Sequence, residues 1–476
     1  MLQPTQPPTD DPNVRQPAVA GTFYLADPAQ LTEMVDYYLN LVPRVDGDPT
    51  VLIVPHAGYV YSGVVAAYGF RQIQGVEYDA VVILGTNHQA ADFTGLATWA
   101  HGAWATPLGQ APIDEELAAQ LLAADARIVD DHSPHINEHS IEVQLPFLQR
   151  ACPDCSFVPV MIGQPTTENI EILSAALTTV LADKKALIIV STDLSHYPAY
   201  DDARWSDGLL LNAVETRDPN QVLAAIDTAM NAGVANLLTC ACGEGPLLVG
   251  MTVAQRLGAD DVKILAYANS GDVPGGDQTQ VVGYGAVMFW DWEPYTLTEA
   301  DQTTLLQLAR DTIAARLSGA TLPTPPTDSE ALQRRASVFV TLTIDDDLRG
   351  CIGDMSASRT LGEAVQYAAQ AAAFEDPRFN PLTAEELAQI DIEISVLSPL
   401  HRIQGAAEVE IGAHGLVIRA GGRSGLLLPQ VATERNWTPE QFLEAVSRKA
   451  GLAGNAWQQS GTALYTFSAL VFGETE

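Results

Sequence analysis

Residues 51–59 read VLIVPHAGY, residues 81–88 read VVILGTNH, and residues 186–196 read ALIIVSTDLSH. Each opens on a short apolar run rich in β-branched residues and closes on turn residues. A strand buried on both faces of a parallel sheet has this composition. His56, His88 and the pair Asp193 and His196 follow the three runs directly. In open α/β sheets the ligand site lies just past the carboxyl ends of the strands. Three strand-end histidines with an aspartate therefore predict a metal site or an acid–base site there.

Outward from these runs, residues 14–292 alternate strand-like and helix-like segments. Strands are expected at 51–54, 80–84 and 186–191. Helices are expected around Gly63–Ile73, Asp114–Ala123, Thr167–Leu181 and Trp205–Glu215. This alternation predicts a layered α/β domain on a mainly parallel sheet. WEPYTLTEADQ (292–302) is the expected boundary, with Thr298 and Asp301 capping a new helix. Residues 300–476 read as a smaller α+β domain. It includes a Pro-rich loop, a Gly-rich hairpin at GLVIRAGGRSGLLL, and a helix in TPEQFLEAVSRKAGL. Residues 1–13 read as a disordered lead.

A chain of 476 residues with 47% hydrophobic content has room for two cores. No apolar run approaches the roughly 18–20 residues of a membrane span. The opening MLQPTQPPTDDPN lacks the pattern of a signal peptide, so the cytoplasm is the expected location. Net charge is −35. Residues 301–476 hold 13 basic and 22 acidic residues, net −9, which leaves −26 for the remainder. That balance argues against general nucleic-acid binding and against anionic membranes. Five cysteines in so long a chain are no disulfide framework. Cys152 and Cys155 form a lone CxxC, read as ordinary loop thiols, with a local redox pair as the alternative.

Seven of the nine histidines precede residue 200. His139 lies in INEHSIEVQLPFL beside Glu138, Glu142 and Gln144. A strand would put Glu142 and Gln144 on one face. Helical spacing of Ile141, Leu145 and Leu148 would instead put Glu138 and Glu142 together. Imidazoles with a carboxylate or a thiolate suit zinc, copper or iron. Cys242, in TCACGEGP, is the candidate thiolate. In the second half, LRGCIG holds Arg349 and Cys351, and DPRF holds Asp376 and Arg378. Cys351 reads either as a reactive thiol beside an arginine or as a strand cysteine next to a structural ion pair.

VRQPAVAGTFYLADP, PHAGYVYSG, ILGTNH, ATPLG, EHSIEVQLPFL, STDLSHY and ACGEGP occur in this order over about residues 14–290. Together they resemble the Memo-like family, also called AmmeMemoRadiSam system protein B. LRGCIG, DPRF, ISVLSPL, GLLLPQVA and KAGL, over about residues 300–474, resemble the AMMECR-type family, AmmeMemoRadiSam system protein A. The chain thus looks like a fusion of the two. The first resemblance implies a fold similar to class III extradiol dioxygenases, with one metal held by His56, His88 and Cys242. Iron or copper is favoured and zinc is compatible. The STDLSHY and EHS motifs of the resemblance fall on Asp193, His196 and His139. On the metal reading His196, held or tuned by Asp193, is the general acid or base and His139 a polar substrate contact. A thiolate in place of the carboxylate of a 2-His-1-carboxylate triad departs from the oxygenase pattern. The second resemblance implies a two-subdomain α+β fold with no established reaction. A radical S-adenosylmethionine enzyme is the partner that both imply. The function expected is a metal-dependent, redox or oxygenase-like module. The alternatives are a non-catalytic metal-binding adaptor and thiol chemistry at Cys351.

Overall fold

A computed structural model describes residues 13–259, 261–292, 294–459 and 461–474. The expected lead at residues 1–13 lies outside them except for Asn13. The chain divides into two compact units. One takes the described residues up to Arg44 together with Asp48–Asp291, and the other takes Val45–Gly47 with Trp292 onward. Trp292, the first residue of the segment WEPYTLTEADQ, belongs with the second unit.

The first unit is built on an eight-stranded sheet. Its strands are β1 (Val51–Val54), β2 (Ala80–Thr86), β3 (Leu96–Thr98), β4 (Ile128–Asp130), β5 (Val158–Ile162), β6 (Ala186–Ser191), β7 (Asp261–Asn269) and β8 (Gly283–Trp290). Their order across the sheet is β7-β8-β1-β6-β2-β5-β3-β4. The central four, β1-β6-β2-β5, run parallel. Antiparallel pairing joins β8 to β1 and β3 to β5. Every residue of β1, β5 and β6 is buried, so both faces are covered. Strand alternation decides what covers each face. Leu52 and Val54 face the helix Tyr59–Phe70, where a Cβ on Gly69 would lie 2.5 Å from Val54. Val51 and Val190 face the helix Glu244–Arg256, where a Cβ on Gly250 would lie 2.3 Å from Val190.

The expected strands 51–54 and 186–191 and the helix Thr167–Leu181 coincide with the observed elements. The segment after His139 is neither a strand nor one long helix. A 3-10 turn at Glu142–Gln144 leads into a short helix, Leu145–Ala151. Glu138 lies ahead of both and shares no helical face with Glu142. The helix ends at Cys152, and a turn from Cys155 N–H to the Cys152 carbonyl brings the two cysteines together. They form a disulfide with Cα atoms 5.5 Å apart, which corrects the reading of ordinary thiols. Among the described residues, no helix is long and apolar enough to cross a membrane.

The second unit holds two antiparallel four-stranded sheets. The first comprises Ser337–Ile344, Asp347–Asp354, Asp391–Leu397 and Ala469–Gly473. It packs one face on the helices Glu299–Ser318 and Leu361–Phe374, giving one core. The second comprises His401–Ile403, Gly415–Ala420, Arg423–Leu427 and Ala463–Phe467. It packs on the helix Pro439–Lys449, giving another core. The capping box of Thr298 and Asp301 is present at the start of Glu299–Ser318.

Candidate metal centre

β1, β6 and β2 are neighbours in the sheet and parallel, so their carboxyl ends open on one side. His56 follows β1 by two residues, Asp193 follows β6 by two, and His88 follows β2 by two. Tertiary pairing thus converts three distant sequence positions into one row.

His56 is buried, 2% exposed. Its Nδ1 lies 3.0 Å from Ser191 Oγ. Ser191 has one hydroxyl proton, and it goes to the Ser140 carbonyl at 2.5 Å. Gln144 Nε2 donates to Ser191 Oγ at 2.8 Å and to the Pro55 carbonyl at 3.0 Å. Ser191 Oγ therefore accepts from His56, which fixes the Nδ1–H tautomer and leaves Nε2 with its lone pair. That Nε2 lies 3.1 Å from Cys242 Sγ. Burial, then the charges of His88 and His139, push the His56 pKa well down, so the ring is neutral.

Cys242 is strapped to the end of β6. Its N–H donates to the Asp193 carbonyl at 3.3 Å, and Asp193 N–H donates to its sulfur at 3.2 Å. Gly243 N–H donates to Thr192 Oγ1 at 2.9 Å. A Cβ on Gly243 would lie 2.6 Å from the Ser191 carbonyl oxygen, so only glycine permits this approach. Burial, then the Asp193 charge, push the Cys242 thiol far above its usual range. Asp193 accepts from the backbone N–H groups of His56 and Ala57 at 2.8 and 3.3 Å. Burial raises its carboxyl to about 6 against the pull of those amides.

His88 and His139 flank His56, with ring centroids 5.2 and 5.4 Å from it and 4.8 Å from each other. Both place Nδ1 near one carboxylate, Glu138, at 3.0 and 3.1 Å. Burial would raise the Glu138 pKa, but hydrogen bonds from His139 and His88 outweigh it and hold the carboxylate far below its usual range. Arg15 anchors this loop from the other side, donating to the carbonyls of His135 and Glu138 and to the Glu142 carboxylate. Glu142 also accepts from Ala18, Val19 and Tyr24, so it braces the start of the described chain and stands apart from the histidines.

Two donor groups therefore meet at His56. His56, His88 and His139 offer nitrogens within 4.8 Å of one another, and so do the ligand atoms of His56, Asp193 and Cys242. His196 lies near the same cluster. Its Nε2 is buried without a hydrogen-bond partner among the described residues, and burial, then His88, lower its pKa to about 4. The hydrogen bonds of Asp193 run to His56 and Ala57 rather than to His196. Tyr197, next to it, has φ of +70°, a left-handed conformation costing about 1–2 kcal/mol for a residue with a Cβ. Its N–H donates to the Val281 carbonyl at 2.7 Å, which helps hold that conformation. Ser191 is the residue that sequence reading missed. It closes β6 directly after the apolar residues 186–190, where a serine reads as an ordinary strand end.

In the second unit, Cys351 lies on the strand Asp347–Asp354, its sulfur 3.3 Å from Thr341 Oγ1. Asp376 accepts from Cys351 N–H at 2.9 Å and pairs with Arg378, which also donates to the Cys351 carbonyl. Arg349 forms a two-point pair with Glu386. The two arginines thus brace backbone and carboxylates, and neither guanidinium is hydrogen-bonded to the thiol.

Comparison with known proteins matches the chain to two families. The profile described as Memo-like protein covers residues 15–288, and the AMMECR1 profile covers 306–472. A MEMO1 family protein of Methanopyrus kandleri is 36% identical over 58% of this chain and 98% of its own length. One of Aquifex aeolicus is 37% identical over 58% of this chain and 99% of its own. A solved structure, an uncharacterized protein of Pyrococcus horikoshii, is 38% identical over 36% of this chain and 90% of its own, with a TM-score of 0.35. The chain belongs to the Memo-like family and carries an AMMECR1 region after its Memo-like region.

Proposed function

We propose that the first unit is a metal-dependent module that binds one ion among His56, His88 and Cys242, within reach of His139 and Asp193. The observation that carries this reading is the neutral His56 Nε2 at 3.1 Å from the Cys242 thiol, with two more imidazoles around it. Mixed nitrogen and sulfur donors suit iron, copper or zinc. Their placement past the ends of parallel strands agrees with the resemblance to extradiol dioxygenases. A bound ion would supply Lewis acidity or electron transfer at this point. The chain's own groups do the rest. Ser191 and Gln144 orient His56, and Asp193 ties the turn after β1 to the end of β6. His196, neutral at pH 7, offers a lone pair as proton acceptor. The radical S-adenosylmethionine enzyme is the partner this reading assigns, on the strength of the two-family resemblance.

Anaerobically purified and reconstituted protein is expected to hold about one iron or copper per chain by elemental analysis. The double variant His56→Ala, His88→Ala should lose it. Unchanged metal content in that variant overturns the reading. Turnover only in the presence of the radical enzyme would favour an adaptor over an independent catalyst.

A further inference from the structure

Glu138 is fully buried, accepts four hydrogen bonds and has a second imidazole nitrogen beside it. The bonds come from the backbone N–H groups of His88 (2.6 Å), His139 (2.8 Å) and Ser140 (2.9 Å) and from His88 Nδ1 (3.0 Å), and His139 Nδ1 lies 3.1 Å from the same carboxylate. An ionised carboxylate has no proton to give, so both imidazoles must present Nδ1–H to it. One side chain thereby sets two tautomers at once. The same oxygen, Oε1, lies 3.0 and 3.1 Å from the two ring nitrogens, and the rings stack at a centroid separation of 4.8 Å and an interplanar angle of 26°. Arg15 fixes the Glu138 carbonyl at 2.5 Å, and Ser140 Oγ fixes the segment to the Thr86 carbonyl at 2.9 Å. The carboxylate therefore sits on a held backbone.

From this geometry we infer that Glu138 is a positioning residue for the proposed metal centre: by holding Nδ1–H on both His88 and His139, it reserves both Nε2 lone pairs for the ion and makes His139 a ligand alongside His56 and His88. The inference rests on the metal reading given above. It assigns His139 to the metal rather than to substrate, and it separates the two buried carboxylates of the motif. Glu138 serves the imidazoles, whereas Glu142 serves Arg15, Tyr24 and the backbone. Carboxylates bonded to ligand histidines typically contribute about 10–100-fold in metal affinity.

The test uses the full chain in metal-free form. Long-range 15N–1H correlation spectra should show the Nδ1–H tautomer for both His88 and His139. Titration with Co(II), followed by its visible absorption, should give Glu138→Gln an affinity about 10–100-fold weaker than the parent, with shifted bands. A purely structural carboxylate would lower stability and leave the bands in place. If the variant does not fold, the parent's spectra decide, because an Nε2–H tautomer on either ring overturns the inference. Unchanged affinity and bands in folded Glu138→Gln overturn it while leaving the metal reading intact. Parent protein that takes up no Co(II) overturns the metal reading and this inference together.

Discussion

Asp207 shows at the scale of one residue how the site is held. It is buried, accepts from Ser195 N–H at 2.8 Å and from Tyr267 Oη at 2.8 Å, and so fixes the turn that carries His196. Burial, opposed by those hydrogen bonds, raises its pKa to about 6. A raised carboxyl binds more protons in the folded than in the unfolded state, so its contribution to stability is full below about pH 4 and is lost as pH rises through about 6. The Tm of the parent relative to Asp207→Asn is therefore expected to fall between pH 4 and pH 7. The full effect is at most about 3 kcal/mol. A difference that stays flat across that range would contradict the assignment.

At the scale of elements, β2 and the segment after His139 touch at Gly85. A Cβ there would lie 2.5 Å from Ile141 and 2.8 Å from Ser140 Oγ. Gly85→Ala should therefore cost about 1–3 kcal/mol in urea unfolding. It should also weaken metal uptake, since Ser140 adjoins His139. An unchanged urea midpoint would mean that the segment yields without strain. The elements themselves were unequally legible. β1 and β6 were visible to the residue because an unbroken apolar run ending in a turn has few other solutions. The helix Glu244–Arg256 was hidden, because CGEGP reads as a turn. Pro246 in fact lies in the first helical turn, where its missing N–H has no intrahelical partner to lose. The helix Pro219–Asn231 was hidden likewise, although Asp218 caps it and Pro219 opens it. His56, His88, Asp193 and Cys242 were legible from their positions and motifs. The division of labour between Glu138 and Glu142 was not. It depends on a turn that belongs to neither period, and on Arg15 arriving from 120 residues away.

At the scale of the whole molecule, 59 acidic residues face 24 basic ones. Several of the ion pairs, such as Arg127 with Glu168 and Arg256 with Glu171, lie at the surface and contribute little each. Uncompensated negative charge should dominate the surface field. Raising NaCl from about 10 mM to about 150 mM, which shortens the screening length from roughly 30 Å to roughly 8 Å, is expected to raise Tm by a few degrees. A Tm that falls or stays level would show that self-repulsion is not felt. The separation of His56 from Cys242, 186 positions along the chain, has a consequence in time. The three imidazoles leave the ribosome first, and the thiol follows His139 by 103 residues. At about 5–20 residues per second that interval lasts roughly 5–20 seconds. The proposed centre therefore has its nitrogen donors synthesised well before its sulfur donor, and its full donor set is in the chain only once Cys242 has been added.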